Sequence, residues 1–174
     1  MATALQGKSL MLFFRDYSKR TTEDAAKLRF QTEHSIKLEK ESTSTATKDG
    51  NINSVSDGAA SADIKSVAYK EDGGTVEVWK TLRKNFKENK LMELWQVDLS
   101  SKNESGEYDV EYYQGYFTAF ELSAPSDDKV ELSTTFAING NGIEGTDTLT
   151  ETQSKAVASA IYEYKKLAGV EDNK

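Results

Sequence analysis

The run Leu28-Arg29-Phe30-Gln31-Thr32-Glu33-His34-Ser35-Ile36-Lys37-Leu38-Glu39-Lys40-Glu41 decides the fold. Apolar or small residues fall at Leu28, Phe30, Thr32, His34, Ile36 and Leu38, and polar residues take every place between. Side chains of an extended chain point alternately to its two faces, so a period of two predicts a strand with one face on a core and one in water. The run is longer than an ordinary strand of roughly five or six residues, which predicts a projecting hairpin or a sheet completed by assembly.

Working outward, Lys8 to Asp16 reads as a short strand and Tyr17 to Asp24 as a polar connection. On the other side, residues 42–58 are mostly Ser, Thr, Asn, Asp and Gly and hold little that would offset the entropy of ordering, so a long flexible loop is expected there. Ala60 to Tyr69 is the expected return strand, with Ala60, Ala62, Ile64, Ser66 and Ala68 on one side. After Gly73 and Gly74, Val78, Trp79, Leu82 and Phe86 recur at helical spacing. Glu77 comes early, and Arg83, Lys84 and Lys87 come late, the order a helix dipole favours. Three strands are expected next: Leu91 to Leu99, Tyr108 to Leu122 with a bulge at Gly115, and Lys129 to Asn139. Asn139 to Gly145 reads as a glycine turn. A second amphipathic helix is expected over Glu151 to Leu167, with Thr150 and Gln153 as a capping box and Val157, Ala160, Ile161, Tyr164 and Leu167 as its apolar stripe. Residues 168–174 are expected to be a disordered tail. No βαβ alternation is present, so the class is mainly β, one domain over residues 1–174, a sandwich or barrel with packed helices.

The chain carries 22 basic and 29 acidic residues, a net charge of -7, which argues against the basic footprint that nucleic-acid binding needs. There is no cysteine, so disulfides, thiolate metal sites and cysteine nucleophiles are excluded. No apolar run reaches the roughly 20 residues of a membrane span. The cluster Leu10 to Phe14 is too soon followed by Arg15 and Asp16 for a secretory signal, so synthesis and assembly in the cytoplasm are expected.

Motifs of chemistry fail on context. Gly140-Asn141-Gly142-Ile143-Glu144-Gly145 matches a dinucleotide fingerprint in letters, but the expected helix opens several residues after the glycines. Gly7-Lys8-Ser9 ends like a phosphate loop, yet Ala2 stands where that loop needs its first glycine. Asp49, Asn51 and Asn53 open like a calcium loop that then lacks its glycine and its closing carboxylate, Ser54 and Ala60 standing in those places. Asn103-Glu104-Ser105 is a sequon in form only. His34, the one histidine, lies on the apolar face of the long strand, where a hydrogen-bonded core histidine is the ordinary case. Asp127 and Asp128 read as turn residues beside Pro125. Neither a catalytic residue, a metal nor a cofactor is expected.

The stretches Gln31-Thr-Glu-His-Ser35, Ser44-Thr-Ala-Thr-Lys-Asp-Gly50, Glu93-Leu-Trp-Gln-Val-Asp-Leu99, Tyr112-Tyr-Gln-Gly-Tyr-Phe117 and Leu132-Ser-Thr-Thr-Phe-Ala-Ile-Asn-Gly-Asn-Gly142 are similar to the major tail proteins of long, noncontractile-tailed phages of Gram-positive, especially lactic-acid, bacteria. The likeness runs from about Gln31 to Gly145 and implies a tail-tube fold, a two-sheet β-sandwich with a flanking central helix and a long hairpin loop, to which the residue pattern adds the C-terminal helix. It implies a virion structural protein that is not an enzyme, forming homo-hexameric rings that stack into a tube through which DNA passes non-specifically. Tail terminator, tape measure and distal tail proteins are the implied partners. On the polar alternation of the long strand, Gln31, Glu33, Lys37, Glu39 and Glu41 are expected to face the lumen. The family's use of its loop implies that Ser44, Thr45, Thr47, Lys48, Asp49, Asn51, Ile52 and Val55 contact a neighbouring subunit or ring. Two rival readings share the composition: a β-sandwich module binding carbohydrate or a host surface, and the tube protein of a bacterial secretion apparatus.

Overall fold

A computed structural model describes residues 2–71 and 77–158. Its elements are β1 (Leu10–Asp16), β2 (Ala26–Lys27), β3 (Gln31–Thr47), β4 (Gly50–Val67), α1 (Val78–Lys87), β5 (Met92–Asp98), β6 (Tyr108–Ser123), β7 (Glu131–Asp147) and α2 (Glu151–Ala158). All pairings are antiparallel, and hydrogen bonds join the seven strands into one sheet in the order β2-β1-β5-β6-β7-β4-β3. Where two sheets were implied, a single sheet folds over to supply both layers.

The two longest central strands make this possible by belonging to both layers. Residues 109–115 of β6 pair with β5, whereas its later residues pair only with β7. β7 likewise pairs with β4 through residues 131–138 and runs on beside the start of β6. The layers share one core, with Leu12, Phe14 and Leu94 from one and Ile64, Leu132 and Phe136 from the other, each no more than 2% exposed. Leu82 of α1 and the ring of Phe86, 5.9 Å from that of Phe120, close the open side. Burial of a Phe or Leu at such positions stabilises the fold by about 2–5 kcal/mol each, judged by truncation to Ala.

The fold-over occurs at Gly115. Register shifts lie on both sides of it, between Tyr112 and Gln114 and between Phe117 and Ala119. Bulges bend a strand and increase its twist. A Cβ on Gly115 would lie 1.9 Å from the carbonyl oxygen of Ala137, so no other residue allows the two backbones to come this close. The expected turn over Asn139 to Gly145 is instead a bulge within β7: four residues of β7 pass where β6 advances by two. Its glycines have positive φ, 71° at Gly140 and 77° at Gly142, so they serve a bulge and not a chain reversal. Gly142 also leaves room for the ring of Tyr113, whose nearest atom would be 2.3 Å from a Cβ there.

The expected flexible loop over residues 42–58 is corrected. β3 and β4 stay paired out to Thr47 and Gly50, making a hairpin arm with Lys48 and Asp49 at its tip. Gly50 (φ 126°) and the Thr47 hydroxyl, which donates to the Gly50 carbonyl at 2.6 Å, hold the turn. The ladder satisfies its backbone groups without apolar side chains, which the expectation from composition overlooked. The arm therefore overshoots the core. Of the six apolar positions read in the long strand, only Leu28 is buried, His34 and Ile36 are half-buried, and Leu38 is 50% exposed. A smaller cluster on the outer face, around Phe13, Val97 and Val110, is covered by Leu149 and by Val157 of α2. The capping box is formed, with the Gln153 amide N–H donating to the Thr150 hydroxyl and the Thr150 N–H to the Gln153 side chain. Gly73, Gly74, the later stripe residues Ala160, Ile161, Tyr164 and Leu167, and the tail over 168–174 lie outside the described residues.

Gly115→Ala is expected to lower stability by about 1–3 kcal/mol through overpacking at the bend, read as a lower urea midpoint at an unchanged slope. A midpoint equal to that of the unmodified chain would place the bend elsewhere.

Candidate functional site

The surface best suited to a partner is the outer face of the layer built from β3, β4, the start of β7 and the end of β6. Cross-strand partners put Glu33 beside Lys65, Ser35 beside Asp63, and Lys37 beside Ser61. The rows continue into Ser133, Thr135 and Ala137 of β7, and from there into Glu121, Ala119 and Tyr116 of β6. Apart from Ala119, Ala137 and Tyr116 the face is polar, and several of its side chains bond to each other. Lys65 lies 3.4 Å from Glu33, Lys37 lies 2.6 Å from Glu39, and the Thr135 hydroxyl donates to Asp63 at 2.9 Å. A shallow groove of about 350 Å³ runs between these rows. Exposed pairs of this kind are screened by solvent and contribute little stability, so they shape the charge of the face more than they stabilise it.

Four of the five residues expected on this face, Glu33, Lys37, Glu39 and Glu41, lie on the same alternation of β3 and are exposed. Gln31 is the exception and is corrected. A bulge between Gln31 and Glu33 turns it to the inner side, opposite buried Ser66. There its amide donates to the Leu12 and Leu28 carbonyls, both at 2.9 Å, while its oxygen accepts from the Leu12 N–H at 3.2 Å. The carboxamide thus acts as a short substitute strand along the edge of β1 and fastens one layer to the other. His34 adds a second tie between the layers, its Nε2 hydrogen-bonded to the Gln96 side-chain oxygen at 2.8 Å, in keeping with a hydrogen-bonded histidine.

The residues expected to make contacts beyond the subunit, Ser44, Thr45, Thr47, Lys48, Asp49, Asn51, Ile52 and Val55, all lie exposed on the outer half of the arm. Ile52 and Val55 are 62% and 65% exposed. Thr45 pairs with Ile52 and Ser42 with Val55, so the two apolar side chains project from opposite faces of the arm. At its base, Lys40 forms an ion pair with Asp57, a contact that, with an Asn141 hydrogen bond, holds the Asp57 carboxyl below its ordinary range.

Two features escaped the alternation pattern. One is a pair of backbone edges: among the described residues no strand lies along the outer side of β3, nor beside residues 116–123 of β6, where β5 has ended. The other is a polar network under the bend. Glu93, 3% exposed, takes the Arg15 guanidinium at 2.6 Å and the Tyr112 hydroxyl at 2.7 Å, and Gln114 donates to that hydroxyl. The bond to Glu93 raises the Arg15 pKa further, and burial with the adjacent Glu93 carboxylate pushes the Tyr112 phenol up to about 12. Trp95 covers the group, its ring 5.1 Å from that of Tyr112 and under the Arg15 guanidinium.

The chain is a β-sandwich with a projecting hairpin arm and a largely polar layer whose two edges carry no strand among the described residues. The family model described as phage tail tube protein matches residues 4–142, and the chain belongs to that family. It is therefore a structural protein of the phage tail tube. A protein of Staphylococcus phage phiMR25 assigned to its tail is 24% identical over 170 residues, covering 94% of this chain and 83% of its own. The fold is similar to that of the SPP1 tail tube, with a TM-score of 0.68 at 17% identity over 95% of this chain and 93% of that one. It is also similar to the tail of an empty gene transfer agent particle solved with C6 symmetry, with a TM-score of 0.58 at 12% identity over 84% of this chain and all of that one.

A phenol that titrates higher when folded than unfolded favours the folded state fully below the unfolded pKa near 10, and that contribution is lost as pH rises toward about 12. Tyr112→Phe is expected to lower stability at neutral pH by about 1–2 kcal/mol, since Glu93 loses a donor. It should also flatten the alkaline fall, measured as urea midpoints from pH 8 to pH 11. An unchanged alkaline slope would remove Tyr112 from that role.

Proposed function

We propose that six copies close edge to edge into a ring, that rings stack into the noncontractile tube, and that the polar layer faces a channel for DNA. The observation that carries this is the combination of that layer's two edges, unpaired among the described residues, with an outer face that is mostly polar and charged. Unpaired edges invite uncontrolled pairing, and closure into a barrel removes them. If β3 of one copy runs beside residues 116–123 of the next, each subunit adds a four-stranded panel to one continuous wall. Twist then sends the same face, with Glu33, Lys37, Glu39, Glu41 and Asp63, inward everywhere. A hydrated wall of mixed charge on a chain of net charge -7 offers a duplex nothing to adhere to, since adhesion to DNA rests on released counterions. The C6 symmetry of the gene transfer agent tail supports the ring size. The arm, through Ile52 and Val55, reaches the neighbouring subunit or ring, and the terminator, tape measure and distal tail proteins cap and fill the finished tube.

Negative-stain microscopy of the purified chain, concentrated stepwise beside light scattering, is expected to show six-fold rings and stacked tubes. A compact monomer that persists at high concentration even with phage tail extract added would overturn the reading. Reversing Glu33, Glu39 and Glu41 to Lys is expected to leave rings able to form but to block DNA delivery by the assembled phage. Delivery at the normal rate would move this face to the outside.

A further inference from the structure

Charge is segregated on this chain. On α1, Lys80, Arg83, Lys84 and Lys87 recur at steps of three and four residues, and all four are exposed. Residues so spaced are neighbours on one helix face, so these cations repel each other. Glu77 lies 2.9 Å from Lys80, and Glu88 lies 4.0 Å from Lys84. Among the described residues, Arg83 and Lys87 have no acidic group within ion-pair distance.

A second, opposite patch sits at the far end of β6. Asp98 stands directly across from Asp109, and Glu111 directly across from Glu144. Like charges in directly opposed positions destabilise a sheet. None of the four has a lysine or arginine within ion-pair distance among the described residues. Asp98 accepts from the N–H and hydroxyl of Ser100, and Glu111 from Gln96 and the Tyr113 hydroxyl. The Asp109 and Glu144 side chains are exposed, beside an open groove of about 570 Å³. α1 packs through Phe86 on Phe120, near the end of β6, whereas these carboxylates lie about its start, beyond the bend at Gly115.

We propose that the two patches are the halves of one contact: the cationic face of α1 on one copy meets the carboxylate end of β5, β6 and β7 on a second copy, head to tail. This rests on the tube reading and names the surfaces by which its rings stack. Arg83 and Lys87 on one patch and Asp109 and Glu144 on the other have no opposite charge within ion-pair distance among the described residues, and the meeting of the two patches supplies it. A contact between different surfaces of identical copies closes into a ring where its rotation returns to the start and otherwise propagates into a filament, so this contact, made from ring to ring, extends the tube. Charge complementarity of this kind also fixes register and excludes stacking head to head.

The test uses the full chain in four forms: unmodified, Lys84→Glu with Lys87→Glu, Asp109→Lys with Glu144→Lys, and all four changes together. Near-ultraviolet circular dichroism confirms folding, and tubes are counted by microscopy at low salt. Each reversed patch alone is expected to cut tube mass by at least about tenfold, because like charges then meet, and the four-change chain is expected to recover it. Tubes of the unmodified chain should shorten as salt is raised from 0.1 M to 1 M, as the screening length falls from about 10 Å to about 3 Å. If the lysines unfold the sheet, Asp109→Asn with Glu144→Gln replaces them and should lower the salt at which tubes come apart. Unmodified tubes beside undiminished tubes from either reversed chain, or no recovery by the four-change chain, overturn the stacking contact and leave the tube reading intact. Absence of tubes and rings from the unmodified chain defeats the tube reading and this contact with it. Retention of a short DNA duplex that is lost with Lys84→Glu and Lys87→Glu, at unchanged tube mass, assigns the stripe to nucleic acid instead.

Discussion

At Gly115 the backbone of β6 lies so near Ala137 that any side chain would penetrate its carbonyl group. That close approach lets one hydrogen-bonded sheet bend back on itself, and the remaining architecture follows from the bend. Each layer supplies one face to the shared core and keeps the other for water or a partner. Because the layers are continuous through β6 and β7, only the opposite side needs fastening. Gln31 supplies it with a side chain that takes the place of a strand along β1, and His34 adds a second tie to Gln96.

The bend also creates the assembly surface. β5 ends where β6 turns, so residues 116–123 emerge with one side unpaired among the described residues, as does the whole of β3. Long bare edges are a hazard for a chain that must stay soluble and an asset for one that must join copies of itself. The arm extends the same logic outward, with polar strands that pair with each other and present single apolar side chains on either face.

Most of this was legible in residue patterns, and the failures share a cause. The alternation around Glu33 and Lys37 identified the polar face, helical spacing of Val78, Leu82 and Phe86 identified α1, and Thr150 with Gln153 marked the start of α2. Composition misread residues 42–58, because a ladder of Ser and Thr holds its backbone in register without a core. Periodicity misplaced Gln31, because one bulge reverses which face every residue beyond it occupies. The same blindness to bulges turned the glycines from Gly140 to Gly145 into an expected turn. Pairing partners, and hence unpaired edges and the opposed acids at Asp98 and Asp109, exist only in three dimensions.

Hydrogen exchange of the backbone amides in β3 and in residues 116–123 of β6, compared between free subunits and assembled tubes, tests the central claim most directly. The account predicts that amides on these two edges exchange fast in the free chain and become protected together on assembly, as strands of neighbouring copies pair. Edges that go on exchanging in the tube as they do in the free subunit would contradict it, and would leave the rings held by side chains alone.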